Sequence, residues 1–370
     1  MLTMEMIREA QERLRGVARV TPLNGAKTLG RNVYMKAENL QLTGAFKLRG
    51  AYNKLCTLTE EERARGVIAC SAGNHAQGVA LSAARLGIRS VICMPAGAPI
   101  SKVEATKNYG AKVVLVPGTY DDAAAEADRL AAQEGYTFAH PFNDPCVMAG
   151  QGTIGLEILE QLPEADQVVV PIGGGGLISG VAYAIKQLKP SCRVIGVQAA
   201  GAASMYTSRQ AGEVLTLPSV ATIADGIAVK RPGDLTFALC QQYVDDIVTV
   251  RDDEIAAAIL ALLEDQKTVA EGAGAVSVAA VRFGKVDLVG KNTVCVVSGG
   301  NVDVTTLSRI ITKGLSKTGA NILSVNHARE DKHSDIGACV VSMVLETRNR
   351  QHVDDIEREL QSLGYHILET

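Results

Sequence analysis

Six short runs in this chain are apolar almost from end to end: GVIACS (66–71), SVICMP (90–95), KVVLVP (112–117), QVVVPI (167–172), RVIGVQ (193–198) and TVCVVS (293–298). Ala-rich amphipathic stretches such as HAQGVALSAARLG and YDDAAAEADRLAAQEG lie between them. A strand that is apolar on both faces must be covered on both faces, which is the situation of a parallel sheet flanked by helices. The pattern predicts an α/β fold with two open parallel-sheet lobes. The first three runs form one set, and the last three, with longer insertions, form the other. In such sheets ligand chemistry is expected at the carboxyl ends of the strands.

Composition narrows the class. With 37 basic against 40 acidic residues the net charge is −3, which argues against nucleic acid as the main partner. No apolar run reaches the length of a membrane span. The N-terminus, MLTMEMIREAQERL, reads as an amphipathic helix and not as a signal peptide. Eight cysteines (Cys56, Cys70, Cys93, Cys146, Cys192, Cys240, Cys295 and Cys339) are scattered, mostly within apolar runs, with no CxxC or Cys/His cluster, so no zinc site is expected. A reduced, cytoplasmic enzyme fits these features.

The C-terminal residues follow a different rhythm. ANILSVNHARE and the alternating GACVVSMVLETR (337–348) read as strands, HVDDIERELQSLG (352–364) as a helix and YHILE as a last strand. This β-β-α-β piece is a separate small α+β unit.

Four glycines, Gly173, Gly174, Gly175 and Gly176, stand between a buried strand and a helix in QVVVPIGGGGLISGVAYAIKQL. Such a run frees the backbone to turn its N–H groups inward as an anion nest, and the helix N-terminus adds its positive end. No Lys-Ser/Thr follows, which excludes a triphosphate loop, and the GxGxxG spacing with a ribose-gripping acid is also missing. Two other strands end in turns of the same kind. Ser71 opens SAGNHAQG, with Asn74 and His75 in the turn, and Ser298 opens SGGN. Each reads either as a simple turn or N-cap residue or as part of a site. A phosphate cradle without a triphosphate signature suits pyridoxal phosphate, which needs a Schiff-base lysine, a phosphate nest and a partner for its ring nitrogen. Within GAFKLRG (44–50) alone, Lys47 reads as a solvated lysine. The phosphate nest is what makes it the candidate for that lysine.

Taken in order, TGAFKLRGA, SAGNHAQG, GGGGLISG, ADGIAV and SGGN resemble the pyridoxal-phosphate enzymes of fold type II, the tryptophan synthase beta-like group, and specifically the serine/threonine dehydratases. The resemblance covers about residues 5–318. It implies that Lys47 carries the cofactor as a Schiff base and acts as the catalytic base, and that Phe46 packs near the ring. Asn74 would bond the 3-hydroxyl, Gly173 to Gly176 with the amide of Leu177 would hold the phosphate, and Ser298 would meet the pyridine nitrogen. Gly226 would lie at the cofactor edge. Ser71, Ala72, Asn74 and His75 would take the substrate carboxylate. The implied lobes are 1–48 with 145–315 as the large cofactor-binding domain and 49–144 as the small one. Residues 320–370 resemble part of an ACT regulatory domain whose first strand and helix have no counterpart here.

The implied reaction is conversion of L-threonine to 2-oxobutanoate and ammonia, and of L-serine to pyruvate. The alternatives are an L-serine dehydratase, a β-replacement enzyme of the cysteine synthase type, or a non-catalytic sensor. Racemases of the family place a serine where Ala72 stands, so racemisation is not expected. Those racemases also hold a divalent ion with acids where Gln198, Ala202 and Ser204 stand, so no metal site is expected beyond a monovalent cation on backbone carbonyls. The resemblance further implies a homo-oligomer, dimer or tetramer, and an effector of the tail, either isoleucine or valine, as in feedback-inhibited relatives, or an adenine nucleotide, as in catabolic ones. The catabolic type is the expectation.

Overall fold

The computed structural model describes residues 1–315, 321–328, 340–362 and 367. By internal contacts the chain divides into two units, Met1–Val302 and Asp303–Thr370.

The first unit contains two sheets. Its strands are β1 (Leu23–Gly25), β2 (Val33–Lys36), β3 (Val67–Cys70), β4 (Ser90–Pro95), β5 (Lys112–Val116), β6 (Thr137–Phe138), β7 (Gln167–Pro171), β8 (Arg193–Ala199), β9 (Asp246–Val250) and β10 (Thr293–Val296). One sheet has the order β5-β4-β3-β6 and is parallel throughout. The other has the order β1-β2-β10-β7-β8-β9 and is parallel except for the β1–β2 pair. The six apolar runs thus divide three and three between the sheets, as the sequence predicts.

Alternation along each strand explains the double burial. In the smaller sheet Val67, Ala69, Ile92 and Met94 pack with the helices Lys47–Cys56 and Asn74–Leu86. The intervening Ile68, Cys70, Val91 and Cys93 pack with Ala123 and Ala127 of helix Tyr120–Glu134 on the opposite face. Successive side chains of a strand point to opposite faces, so only a strand apolar at every position can serve both layers. Each large aliphatic side chain buried this way contributes about 1.5–3 kcal/mol. In the larger sheet, helices Pro145–Gln161 and Gly176–Leu188 cover one face through Ile154, Ile158, Ile178 and Ile185.

Four strands escape the sequence reading. β2 ends in Lys36, whose side chain is fully buried, and a charge inside an apolar run hides the strand. β1 and β6 are too short to carry a pattern, and β9, DIVTV, is mixed in burial at the sheet edge.

The second unit contains helix Val304–Leu315, an antiparallel pair of β11 (Asn321–Ala328) and β12 (Val340–Glu346), and helix Arg350–Ser362. The order strand, strand, helix follows the sequence reading. The strand expected at YHILE (365–369) lies, apart from Ile367, outside the described residues. The seven described cysteines are free thiols. No described helix is long and apolar enough to cross a membrane.

Candidate active site

GAFKLRG is tied to the end of β10. Ala45 forms an isolated antiparallel bridge with Gly299, Phe46 N donates to Ser298 O at 3.1 Å, and Gly300 N donates to Gly44 O at 2.8 Å. Gly44 makes the turn with φ +69°, a left-handed conformation that favours glycine. Lys47 then opens helix Lys47–Cys56. Gly50 has a second purpose. A Cβ there would come within 2.7 Å of Val147 O, because this helix crosses Pro145–Gln161 almost backbone to backbone.

Lys47 Nζ donates to Pro141 O at 2.8 Å and lies 5.3 Å from the centre of the Phe46 ring. Burial pulls its pKa down to about 8, and the nearby Glu271 opposes that fall only in part. Helix Asn74–Leu86 packs onto the same point, since a Cβ on Gly78 would stand 3.1 Å from Lys47 C. The SAGNHAQG and GAFKLRG motifs therefore meet.

The glycine loop leaves β7 beside β10, its parallel neighbour. Gly175 has φ +98° and caps helix Gly176–Leu188. Among the described residues, the backbone N–H groups of Gly173, Gly174, Gly175, Gly176 and Leu177 have no protein acceptor. A run of free donors at a helix start is the arrangement a phosphate needs. Space also demands the glycines, because a Cβ on Gly174 would stand 2.4 Å from the Phe142 ring and one on Gly175 2.7 Å from Thr236. Thr236 Oγ1 donates to Gly174 O at 2.6 Å and fixes the loop from below.

The segment that delivers Phe142 was invisible to the sequence reading. Pro141 accepts from Lys47, and the next residue, Phe142, lies against the glycines. His140 Nδ1 holds the turn by accepting from Phe142 N and Asn143 N, at 3.2 and 2.8 Å. The segment follows the end of β6, so the strand-end logic applied elsewhere would have found it had that two-residue strand been legible.

Asn74 is not an N-cap. The cap position is Gly73, with no side-chain cap, and the Asn74 amide turns instead to Glu271 Oε1 at 2.5 Å and Asn301 Nδ2 at 2.8 Å. The N–H groups of Ala72, Asn74 and His75 have no protein acceptor, whereas Gly73 N donates to Ser71 Oγ at 3.2 Å. His75 Nε2 bonds Ala139 O at 2.8 Å. Burial, with Lys47 adding to it, pulls its pKa down to about 3, so the ring is neutral near pH 7 and is no base there. Ser298 Oγ donates to Ala273 O at 3.3 Å. Gly226 borders Glu271, whose Oε1 would lie 3.7 Å from a Cβ at that position. Lys47, Phe46 and Ser298 are thus brought together directly. Ser71 and Ala72 join them through the turn backbone, with no side-chain hydrogen bond to Lys47.

Glu271 is another residue that the sequence did not reveal. EGAGA reads as an ordinary helix start, yet the carboxyl is 4% exposed and its pKa is raised to about 7 by burial and by Asp225. Near the end of β8, Gln198 Nε2 donates to Ala202 O at 3.3 Å and Ile172 O at 3.4 Å, while Oε1 accepts from Tyr206 N. Among the described residues no cluster of three His, Cys, Asp or Glu side chains could hold a metal ion.

Residues 14–299 match the family model described as "Pyridoxal-phosphate dependent enzyme". The chain is 50% identical to an L-threonine ammonia-lyase of Thermotoga maritima over 398 aligned positions, covering 99% of each chain. It is 51% identical to the catabolic L-threonine dehydratase TdcB of Escherichia coli K12 over 280 positions, covering 75% of this chain and 85% of that one. The solved structure of a maize serine racemase superposes with a TM-score of 0.80 at 38% identity, covering 86% of this chain and 99% of that chain. Two parallel-sheet lobes of this kind are those of fold type II, and the chain belongs to the family of pyridoxal-phosphate dependent enzymes.

Proposed function

We propose that the protein is an L-threonine ammonia-lyase that also accepts L-serine. The observation that carries this reading is the tether of Ala45 and Phe46 to Ser298 and Gly299, which sets Lys47 at the strand end beside the serine. The residues fit pyridoxal phosphate. Five free N–H groups stand where its phosphate would bind, and an amine of lowered proton affinity stands where its aldehyde would.

When bound, pyridoxal phosphate supplies a conjugated ring that takes up the electron pair of the breaking Cα–H bond. Gly173 to Leu177 bind the phosphate through their backbone donors. Asn74 and Ser298 would orient the ring by its 3-oxygen and its nitrogen, with Gly226 leaving room at the edge. Lys47 would hold the cofactor covalently through Nζ. Burial pulls the pKa of its Nζ down to about 8, so the free amine would be a base matched to neutral pH and would take the Cα proton. The free N–H groups of Ala72, Asn74 and His75, with Ser71 at the head of the turn, suit the substrate carboxylate. Phe46 shields Nζ from water. Ser298 is neutral and would not hold a proton on the ring nitrogen as a carboxylate would, which would favour prompt loss of the β-hydroxyl as water, with its proton given by Lys47 Nζ. The released enamine hydrolyses, so each threonine yields one 2-oxobutanoate and one ammonia.

Threonine is favoured by the names of the two relatives above. Racemisation, the activity named for the maize structure, is disfavoured because Ala72 has no proton to exchange. With L-threonine the protein is expected to form 2-oxobutanoate and ammonia in equal amounts. kcat/KM for threonine should exceed that for serine by no more than roughly 10–200-fold, the range one methyl can supply. No keto acid from cofactor-loaded protein would overturn the reading, and D-serine from L-serine would favour the racemase.

In this reading 1–48 with 145–315 and 49–144 are the two catalytic lobes, and 320–370 is a shortened ACT-like unit in an effector-regulated, oligomeric, cytoplasmic enzyme. The alignment with the Thermotoga relative runs over 398 positions, so at least 28 of them have no counterpart among the 370 residues of this chain. Titrating isoleucine, valine and AMP against activity is the test. The catabolic expectation is activation by AMP, and no response to any of the three would remove the regulatory reading.

A further inference from the structure

Asn74 stands in a directed chain of hydrogen bonds. Asn301 Nδ2 donates to Thr43 O at 2.7 Å and to Asn74 Oδ1 at 2.8 Å, and Asn74 Nδ2 donates to Glu271 Oε1 at 2.5 Å. The direction is forced, because a backbone carbonyl only accepts. The atom of Asn301 that faces Thr43 must therefore be its NH₂, the atom of Asn74 that faces Asn301 must be its oxygen, and Asn74 must turn its own NH₂ toward Glu271. An amide nitrogen carries two hydrogens, so after Glu271 takes one, a single N–H remains with its direction fixed. Without Glu271 the amide is held at its oxygen alone.

Glu271 is itself set firmly. Its backbone N donates to Gly299 O at 3.1 Å, and its Oε1 would touch a Cβ on Gly299 at 2.3 Å, so the carboxyl occupies space that only a glycine there leaves open. Among the described residues it makes no ion pair. The charged groups that bear on it are Asp225 from the 225–227 turn, Lys102 from helix Ile100–Asn108 and Lys47 from its own helix. A buried carboxyl without a salt bridge, bonded to one amide and wedged against Gly299, has no evident part in stabilising the fold.

We propose that Glu271 is a positioning residue of the reaction centre: its carboxyl oxygen clamps the Asn74 amide so that the remaining Nδ2–H is presented to the 3-oxygen of the cofactor. This rests on the assignment of Asn74 to that oxygen. Glu271 neither touches the substrate nor moves its proton in this account.

The test reads cofactor affinity by absorbance titration of stripped protein. Glu271→Met, which keeps bulk but offers no oxygen, should weaken pyridoxal phosphate binding by about 10-fold or more, as expected for loss of a hydrogen bond to a charged group. Glu271→Gln keeps an acceptor and should stay within about threefold of the parent, and it keeps the test usable should the Met variant not fold. In an Asn74→Ala background the Met substitution should cost less than about twofold, because the clamp then holds nothing. Equal losses for Gln and Met, or a Met loss that persists undiminished in the Asn74→Ala background, would overturn the proposal. The readout does not use threonine. A protein that shows this coupling but makes no 2-oxobutanoate would refute the substrate reading and leave this one standing.

Discussion

Lys47→Ala and Lys47→Arg are both expected to lose threonine turnover by about 10³-fold or more and to lose the visible absorbance of the lysine-bound cofactor. The size follows from two roles on one atom. Proton abstraction by a well-placed base alone is worth roughly 10²–10⁴-fold, and covalent anchoring adds to it. Arginine keeps the charge but does not form the bond and does not release its proton, so it separates chemistry from electrostatics. The glycine nest remains in both variants, and weak binding of the cofactor through its phosphate should survive. Turnover within tenfold of the parent in either variant would remove Lys47 from its role.

The second large effect concerns Arg49, two residues further along. Arg49 pairs with Glu38 through Nε and Nη2, each at 2.8 Å, and with Glu157 through Nη1 at 2.5 Å. Lys36 Nζ closes the network on Glu157 at 2.5 Å. All four side chains are almost wholly buried, and their charges balance. The network joins β2, the 38–40 turn, the Lys47 helix and helix Pro145–Gln161, so it fixes the helix from which Lys47 projects. Arg49→Met leaves two buried carboxylates facing one lysine and is expected to cost about 3–5 kcal/mol of unfolding free energy, measured by denaturant titration. It should lower kcat as well, by loosening Lys47. A loss under about 1 kcal/mol would mean that water reaches the site and screens it.

The same network fixes an acid limit. Burial would raise the pKa of Glu38, but the Arg49 guanidinium, its hydrogen bonds and that of Thr21 outweigh burial and hold it below the usual value. A depressed carboxylate contributes stability that is fully present above its unfolded value, about 4.3, and is lost as pH falls through the folded one. Arg49→Met should flatten that part of the stability–pH curve.

The frame of the fold was legible because physics leaves it little choice. VIAC and QVVVP are buried at every position, and only a sheet covered on both faces can use such runs. VYMK was not legible, because its lysine is buried by partners from helix Pro145–Gln161, more than a hundred residues away. The site divides the same way. Glycines 173–176 announce a nest through local backbone chemistry. Glu271 and Phe142 do not announce themselves, since each acquires its meaning from a neighbour distant in sequence, Asn74 for one and the glycines for the other. SGGN shows both cases at once. Its serine reads as the end of a strand, but Asn301, which orients Asn74, gives no signal, because a turn asparagine needs no partner to be explained. Lys47 is not legible in its own heptad; the distant glycine nest makes it the candidate. The structure adds the tether that places it, Phe46 N to Ser298 O.

Reduction of the cofactor-loaded protein with borohydride, followed by peptide mapping, would identify the lysine that bears the cofactor, because hydride converts a lysine–cofactor C=N bond into a stable amine. One label per chain is expected, on the peptide containing Lys47, with threonine turnover lost in step with labelling. A label on any other lysine, or full labelling of Lys47 with turnover intact, would contradict it.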